Sequence, residues 1–203
     1  MIKIFLDSEF TGLHKDTTLI SIGLVSERGD TFYAEFNDYD ESQCDDWVKD
    51  NVIANLILNS LPNKRSRYFN WTPNGKEVNI KGSKSDIAKY LADWFQNIQG
   101  GPLSWIEYGD AKPKEIKHPT IEIWSDCLAY DWVLFNDLWG SAFDIPSCVY
   151  YIPFDICTAL RLHNMDPDGC REELADLDSS EEIIKHNALF DAKIIKQIHD
   201  KWF

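Results

Sequence analysis

The sequence predicts an α/β fold in which a mixed sheet, built from an antiparallel three-strand meander plus parallel strands, is flanked by helices. Three strand-like runs come first, at 2–7, 19–25 and 31–36, and short glycine-containing turns separate them. Helix and strand patterns then alternate through the second half of the chain. Apolar residues make up 44% of the chain and aromatic residues 13%, which indicates a substantial core. We therefore expect one domain over residues 1–203.

The elements of the second half follow from helical spacing and from helix stop signals. Ser83 or Ser85 caps an amphipathic helix, and Gly100-Gly101-Pro102 ends it. The elements expected after it are a strand at 120–124, a helix at 129–139, a strand at 149–153, and helices at 155–162 and 188–202. In such an arrangement the first strand of the chain lies in the middle of the sheet.

We expect an insertion or flap at about 40–105. Its first part is acidic with a short helix around Trp47, and residues 59–82 are rich in Asn, Pro, Gly and Lys, which is typical of an excursion from the core. Between Lys64 and Lys89, seven basic residues stand against two acidic ones, and three aromatic residues are interleaved. This composition suits stacking of single-stranded nucleic acid, although a solvated loop around one or two buried aromatics explains it equally well. The aromatic residues are Tyr68, Phe69 and Trp71.

Charge and cysteine content narrow the class of protein. The net charge of −14 argues against simple electrostatic capture of duplex DNA, but bound metal and a local basic patch would still permit a nucleic-acid enzyme. No apolar run approaches the ~20 residues of a membrane span, so we expect a cytoplasmic protein that binds no membrane. The five cysteines form no CxxC pair, and we interpret them as reduced thiols rather than a disulfide frame or a zinc site.

Acids at the end of the first strand are the strongest functional signal. Asp7 and Glu9 are two positions apart on a strand, so both side chains point to one face. A water-exposed strand end is the structural alternative, but acids are rarely buried unpaired. Asp191 stands early in the last helix, where an acid also interacts favourably with the helix dipole. His186, five residues earlier in a predicted loop, favours function, because the pair can place a base beside an attacking water.

A further acid is expected from the helix that follows the strand at 120–124. We favour Asp131, because Tyr130 and Trp132 flank it at the apolar beginning of that helix. Asp126 and Asp137 are close rivals, and any of the three acids could be a helix cap or a surface charge.

Four carboxylates that share an apolar cleft need a counter-cation, because buried like charges repel and their desolvation is costly. Hard oxygen ligands of this kind suit Mg²⁺ or Mn²⁺. A carboxylate cluster with a nearby histidine can activate water against a phosphodiester. We therefore expect two divalent cations, with Asp7 as the natural bridging ligand and Glu9 on one of them.

The candidate residues fall in three motifs that span nearly the whole chain: Asp7-Ser8-Glu9-Phe10-Thr11-Gly12-Leu13, Ala129-Tyr130-Asp131-Trp132, and His186-Asn187-Ala188-Leu189-Phe190-Asp191-Ala192. In this order they resemble the motifs of the DEDDh family of 3′–5′ exonucleases, which have a ribonuclease H-like fold. The first resembles Asp-x-Glu-x-Thr-Gly-Leu, and the third resembles His-x-Ala-x-x-Asp-Ala. Tyr130-Asp131-Trp132, Leu138-Trp139-Gly140 and Phe154-Asp155 are most similar to the polyadenylate-specific exoribonuclease AS branch. The long insertion departs from the more compact members.

The resemblance implies roles for individual residues. Two divalent ions, Mg²⁺ or Mn²⁺, would be held by Asp7, Glu9, Asp131 and Asp191. His186 would be the general base for the attacking water, with Glu9 as the second catalytic residue. The terminal nucleotide would be bound by the first motif, at Ser8, Phe10, Thr11 and Leu13. Leu13 would wedge against the terminal base, and Phe10 could stack on a base.

The expected function is a metal-dependent 3′–5′ exonuclease that releases nucleoside 5′-monophosphates from single-stranded 3′ ends, with RNA favoured. A single-stranded DNA exonuclease, a small-nucleotide phosphodiesterase or phosphatase, and a non-catalytic nucleic-acid-binding module are the alternatives. A binding module would not need four acids and His186, and the basic aromatic stretch favours a polymer over a small nucleotide. No residue type by itself identifies a contact to the 2′-hydroxyl of RNA. A homodimer is left open, because the sequence carries no direct signal for one.

Overall fold

The computed structural model describes residues 1–58, 67–72, 75–100, 120–177 and 185–203. Within these ranges the chain forms a seven-stranded mixed sheet. The strands are β1 (Ile2–Phe10), β2 (Leu19–Ser26), β3 (Thr31–Phe36), β4 (Arg67–Thr72), β5 (Gly75–Gly82), β6 (Ile121–Ser125) and β7 (Phe154–Asp155). Their order across the sheet is β4-β5-β3-β2-β1-β6-β7. Three neighbouring pairs are antiparallel (β1 with β2, β2 with β3, β4 with β5), and β3–β5, β1–β6 and β6–β7 are parallel.

Helices lie on both faces of this sheet. They are α1 (Asp46–Asn51), α2 (Lys84–Ile98), α3 (Ala129–Asp137), α4 (Ile156–Leu162), α5 (Arg171–Leu174) and α6 (Ala188–Trp202), with short 3₁₀ turns at Glu41–Gln43 and Ile53–Asn55. Side-chain oxygens satisfy the free N–H groups at the starts of four of these helices, at Asp45, Ser83, Asp155 and Asn187. Among the described residues, no helix has the length and apolar character needed to cross a membrane.

Successive residues of β1 face opposite helix layers. Ile4 and Leu6 are fully buried in the cluster that contains Trp94 of α2. Phe5, between them, is fully buried in a second cluster with Ile195 of α6. This is the period-2 alternation of a strand that is covered on both sides. The odd or even position of a candidate residue on β1 therefore determines which helix layer its side chain faces.

The predicted α/β class, the three-strand meander and the interior position of β1 are confirmed. The predicted strand at 149–153 is wrong. Val149 makes one isolated parallel bridge with Ile121, and the paired strand is Phe154–Asp155. Pro153 contributes to this difference, because proline has no N–H to donate to a sheet.

Part of the expected flap belongs to the sheet instead. β5 pairs in parallel with β3, and its Val78 and Ile80 are buried in the main cluster. The alternation of these two apolar residues with Asn and Lys is a strand pattern, but a composition rich in polar residues concealed it. Lys64 and Arg65 of the basic aromatic stretch, and the side chains of the aromatic residues in β4, lie outside the described part of the chain.

Candidate active site

Three carboxylates converge where β1 approaches the start of α6. Asp7 and Glu9 share the face of β1 on which Phe5 packs against α6, and Asp191 lies in the first turn of that helix. Each of the three acids offers an oxygen within 4.8 Å of the oxygens of the other two. The structure thus brings together two segments that are more than 180 residues apart in the sequence.

Gly23 allows α6 to approach the sheet this closely. It is the β2 partner of Asp7, and the first turn of α6 lies against its α-carbon. A β-carbon at Gly23 would lie 2.3 Å from the carbonyl carbon and oxygen of Ala188 and 2.4 Å from the nitrogen of Leu189. Asn187 begins the helix at this point, and its Oδ1 accepts the N–H of Phe190 at 3.3 Å. The position of the Asp191 carboxylate therefore depends on the absence of a side chain on β2.

Asp131 reaches the cluster from the other helix layer. Ser8 occupies an even position of β1, and its hydroxyl donates to Oδ1 of Asp131 at 2.5 Å. The hydroxyl of Ser125, at the end of β6, donates to Oδ2 at 3.0 Å. Asp131 is only 6% exposed, so these two hydrogen bonds are its compensation for burial. Ser8, which the resemblance assigns to nucleotide binding, thus uses its side chain to hold a carboxylate.

The two rivals of Asp131 have other partners. Asp137 is on the surface and pairs with Lys84. Asp126 lines the cleft, but its carboxylate is held by Arg171 in a two-point ion pair, with Nε to Oδ2 at 2.5 Å and Nη2 to Oδ1 at 2.9 Å. Such a fork geometry commits the Asp126 carboxylate to the guanidinium.

The carboxyl groups of the cluster resist ionisation. Burial, followed by the charges of Asp131, Asp191 and Glu9, raises the pKa of Asp7 well above its ordinary value. Burial and the charges of Asp191 and Asp131 raise the pKa of Glu9 to about 8. Burial also raises the pKa of Asp191 to about 7 and that of Asp131 to about 6. A set of hard oxygen donors whose mutual repulsion a cation would relieve fits a divalent metal site.

We predict that Mg²⁺ stabilises the protein more strongly as the pH rises from about 5 to 8. Carboxyl groups whose pKa is raised by folding bind more protons in the folded state than in the unfolded state. The metal-free protein therefore loses stability as the pH rises from the unfolded-state pKa, about 4, to the folded-state pKa. The measurement is the difference in Tm with Mg²⁺ and with EDTA at four pH values. Groups that titrate outside the site affect both Tm values equally, so their contribution cancels in the difference. A Tm difference that shrinks with rising pH would contradict the prediction.

His186 is positioned by contacts on two sides. Its ring meets the ring of Trp47 edge-on, with centroids 5.0 Å apart and an interplanar angle of 73°. Its backbone is in the left-handed region, at φ 57°. Asn55 binds both of its chain neighbours: Asn55 Nδ2 donates to the Lys185 carbonyl at 2.7 Å, and Asn187 Nδ2 donates to the Asn55 carbonyl at 3.0 Å. Burial and the charge of Lys185 lower the pKa of His186, so the imidazole is neutral at pH 7.

The 41–58 segment carries Trp47 and Asn55, and its ends are attached to the core. Near its start, the Thr11 hydroxyl donates to Oε1 of Gln43 at 2.6 Å. At its end, the N–H of Leu58 donates to the buried carboxylate of Glu35 at 2.6 Å. Trp47 itself is 54% exposed at the cleft. The sequence predicted the short helix but not its place beside His186, since only the tertiary fold joins the two.

A cleft of about 510 Å³ opens over the carboxylates and His186. Its other walls are largely apolar or aromatic, at Phe10, Leu13, Trp47, Val48, Val52 and Tyr130. The rings of Phe10 and Tyr130 stack at 5.4 Å, and Leu13 is 78% exposed at the rim. Ser8, Phe10 and Leu13, which were predicted to bind the nucleotide, line this cleft, whereas Thr11 is buried and its hydroxyl donates to Gln43.

A smaller cavity of about 310 Å³ adjoins the same carboxylates on the side of α5. Asp7, His186 and Asp191 border both cavities. Arg171 and Lys185 border the smaller one, each paired with an acid that also borders it, Arg171 with Asp126 and Lys185 with Glu172. The acidic cluster is therefore reached from an apolar side and from a charged side.

Comparison with known proteins gives a match over the same motifs. A family model described as the 3′–5′ exoribonuclease Rv2179c-like domain matches residues 2–202. Two similar relatives come from Mycobacterium tuberculosis: the 3′–5′ exoribonuclease Rv2179c of strain H37Rv and the 3′–5′ exoribonuclease MT2234.1 of strain CDC 1551. Each is 27% identical over 147 residues, which cover 72% of this chain and 67% of the relative.

Proposed function

Because the chain belongs to the Rv2179c-like 3′–5′ exoribonuclease domain family, we propose that it is a DEDDh-type hydrolase that uses two divalent cations. It removes nucleoside 5′-monophosphates one at a time from the 3′ ends of single-stranded nucleic acid, and it prefers RNA. The observation that carries this proposal is the convergence of Asp7, Glu9 and Asp191 within 4.8 Å beside His186, at the base of an open cleft.

The cation site would be formed by Asp7, Glu9, Asp131 and Asp191. Three of these offer mutually close oxygens, and Asp131 lies near enough for its charge to raise the pKa of Asp7 and Glu9. When bound, Mg²⁺ or Mn²⁺ supplies Lewis-acid stabilisation of the negative charge that develops on the phosphoryl oxygens. The fixed hydrogen bonds from Ser8 and Ser125 would keep Asp131 in place while the substrate exchanges.

His186 acts as the general base. Its imidazole, neutral at pH 7, accepts a proton from the water that attacks the terminal phosphodiester. Trp47 restrains the ring from one side, and Asn55 fixes the backbone on both sides of it. Restraint of this kind holds the imidazole where it can accept a proton from the attacking water. Such positioning contributes much of the rate of a reaction of this type.

The aromatic walls of the cleft receive the terminal nucleoside. Phe10 and Tyr130 form a stacked pair at its edge, and Leu13 projects from the rim toward the space that a base would occupy. Stacking on aromatic side chains tolerates any base, because every base has a π-face. The similarity around Asp131 to the polyadenylate-specific branch supports testing oligo(A) as the preferred substrate.

The test is a time course on 5′-labelled single-stranded RNA and DNA of the same sequence, with oligo(A) as a third substrate. Each is incubated with Mg²⁺, with Mn²⁺ and with EDTA, and small products are separated by chromatography. We expect a metal-dependent ladder that shortens from the 3′ end, fastest on RNA, with nucleoside 5′-monophosphates as the product. A faster ladder on DNA would contradict the sugar preference. Release of phosphate from mononucleotides without polymer cleavage would contradict the exonuclease assignment.

Replacing the proposed base should slow the reaction without unfolding the protein. We expect His186→Ala to lower kcat by roughly 10²–10⁴-fold at pH 7 and to make the fall of kcat at acidic pH shallower than in wild type, because only the carboxyl groups of the cluster then titrate. The measurement is kcat against pH on the preferred oligonucleotide. His163→Ala is the matched control, because His163 is an exposed histidine that packs on Phe203. Full activity of His186→Ala at pH 7 would rule out this role.

Asn55→Ala should weaken the same step indirectly. Removal of the amide breaks the hydrogen bond to the Lys185 carbonyl and frees the backbone that carries His186. We expect kcat to fall by roughly 10–100-fold with little change in KM, because the base moves while the nucleotide walls stay in place. Asn51→Ala is the control, since among the described residues the Asn51 amide donates within its own helix, to the Trp47 carbonyl at 2.9 Å. An unchanged kcat in Asn55→Ala would show that the loop needs no such support.

A further inference from the structure

Two cysteines lie side by side at the ends of adjacent parallel strands. Ser125 of β6 is paired with Asp155 of β7, and Cys127 and Cys157 each stand two residues further along. Cys127 lies in the turn between β6 and α3, and Cys157 is the second residue of α4, so both lie just beyond the paired strand ends. The two sulfur atoms are 3.5 Å apart, and both residues are free thiols.

The two thiols have different surroundings. Cys127 is exposed, lines the catalytic cleft and has a left-handed backbone, at φ 50°. Cys157 is half-buried, and its thiol donates to Oδ1 of Asp126 at 3.0 Å. The Arg171 guanidinium lies 3.3 Å from the Cys157 sulfur and also binds Asp126. A soluble oxidant can therefore reach the Cys127 sulfur, while hydrogen bonds hold the Cys157 thiol beside it.

We propose that Cys127 and Cys157 are a covalent modification site, a dithiol that a hydroperoxide oxidises to a reversible disulfide at the edge of the catalytic cleft. The Cys127 sulfur attacks the hydroperoxide, so that an S–O bond forms and the O–O bond breaks; the thiol proton goes to the departing oxygen, which leaves as an alcohol, or as water from hydrogen peroxide. The Cys157 sulfur then attacks the Cys127 sulfur, so that the S–S bond forms and the S–O bond breaks; the Cys157 thiol proton goes to the departing hydroxide, which leaves as water. Together the two thiols lose two electrons, and one hydroperoxide accepts them.

Disulfide formation changes the wall of the cleft. The sulfur atoms must close from 3.5 Å to about 2.05 Å, and Asp126 loses the S–H donor. Asp126 borders both cavities of the site, and the turn that contains Cys127 leads directly into α3, which carries Asp131. We expect the disulfide to lower the nuclease rate by at least about fivefold, because a displacement below 1 Å in a catalytic site has effects of this size. This effect on rate rests on the proposed function, but formation of the bond does not.

The test uses the full chain and hydrogen peroxide. Wild type, Cys127→Ser, Cys157→Ser and the control Cys170→Ser are treated in the presence of chelator, because donor atoms of Asp126, Cys127 and Cys157 lie within 4.8 Å of one another and could bind a thiophilic cation. Remaining thiols are alkylated, and peptides are mapped by mass spectrometry. We expect wild type and Cys170→Ser to lose two thiols to one intramolecular bridge, and Cys157→Ser to stop at a sulfenic acid on Cys127 that dimedone traps.

The outcomes separate the modification from the nuclease function. Peptide mapping reads the bond without any substrate, so it stands even if no nuclease activity is found. Bridges between molecules, or intact thiols at a peroxide level that oxidises free cysteine, would overturn the proposal. In an active preparation, peroxide should slow wild type and dithiothreitol should restore it, while Cys127→Ser is unaffected by peroxide. Equal inhibition of Cys127→Ser would overturn the link between the bridge and the rate.

Discussion

Asp7→Asn is expected to lower kcat by at least about 1000-fold, equivalent to about 4 kcal/mol of activation free energy, while it stabilises the metal-free protein. Ionisation of Asp7 is opposed by its surroundings, since burial and the charges of Asp131, Asp191 and Glu9 all raise its pKa. An amide at this position keeps the shape, removes one charge and weakens cation binding. At pH 8 we expect the free energy of unfolding in EDTA to rise by about 1 kcal/mol or more.

The two effects are measured on the same preparation, by steady-state kinetics and by denaturant unfolding with and without Mg²⁺. The variant should lose most of the stabilisation by Mg²⁺ that wild type shows, because a ligand stabilises only the state that binds it. Asp137→Asn is the matched control, because Asp137 is an exposed acid at the end of α3 that pairs with Lys84. A variant that loses activity together with stability in EDTA would argue that Asp7 is structural.

Gly23→Ala is expected to be the most damaging change that touches no chemical group of the site. The added β-carbon would lie 2.3 Å from backbone atoms of Ala188, so β2 or the first turn of α6 must move. That turn carries Asp191, and the loop before it carries His186, so a small shift misplaces the proposed cation ligand and the proposed base together. We expect kcat to fall by roughly 100-fold or more and the free energy of unfolding by about 1–3 kcal/mol.

Gly82→Ala provides the comparison for Gly23→Ala. Gly82 is the last residue of β5 in the same sheet. Among the described residues, a β-carbon there would meet only the Asp86 side chain, at 3.6 Å. We expect its kcat and Tm to stay close to those of wild type. Activity and Mg²⁺-dependent Tm shifts of both variants give the measurement. A Gly23→Ala protein with wild-type kcat would show that the sheet and helix can separate without disturbing the carboxylates.

Local patterns were sufficient to predict most elements of the fold. The meander is encoded in short apolar runs between turns, and the last helix in the spacing of Ile194, Ile195 and Ile198, which are all buried. β5 was missed because its apolar residues are only Val78 and Ile80, and their burial depends on pairing with β3, which is distant in sequence. Strand pairing between distant segments is a tertiary property that a composition-based argument cannot supply.

The candidate site was predictable to the extent that it follows strand periodicity. Asp7 and Glu9 had to share a face, and the structure places Asp191 beside them. The odd and even positions of β1 also explain why Asp131 is held through Ser8, although which helix covers which face was not readable from the sequence. Trp47 and Asn55 were not identified as site residues, because their relation to His186 exists only after the 41–58 segment folds across the sheet.

Because the 41–58 segment is attached to the core, this wall of the cleft is already ordered before a ligand binds. The segment is held at Gln43 by buried Thr11, just after β1, at Leu58 by buried Glu35 of β3, and at Asn55 by the histidine loop. The conformational entropy of this wall is therefore lost during folding and not during association. A molecule that enters the cleft meets a preorganised surface, so its affinity is not reduced by the ordering of a loop, and His186 and Trp47 respond as one rigid unit.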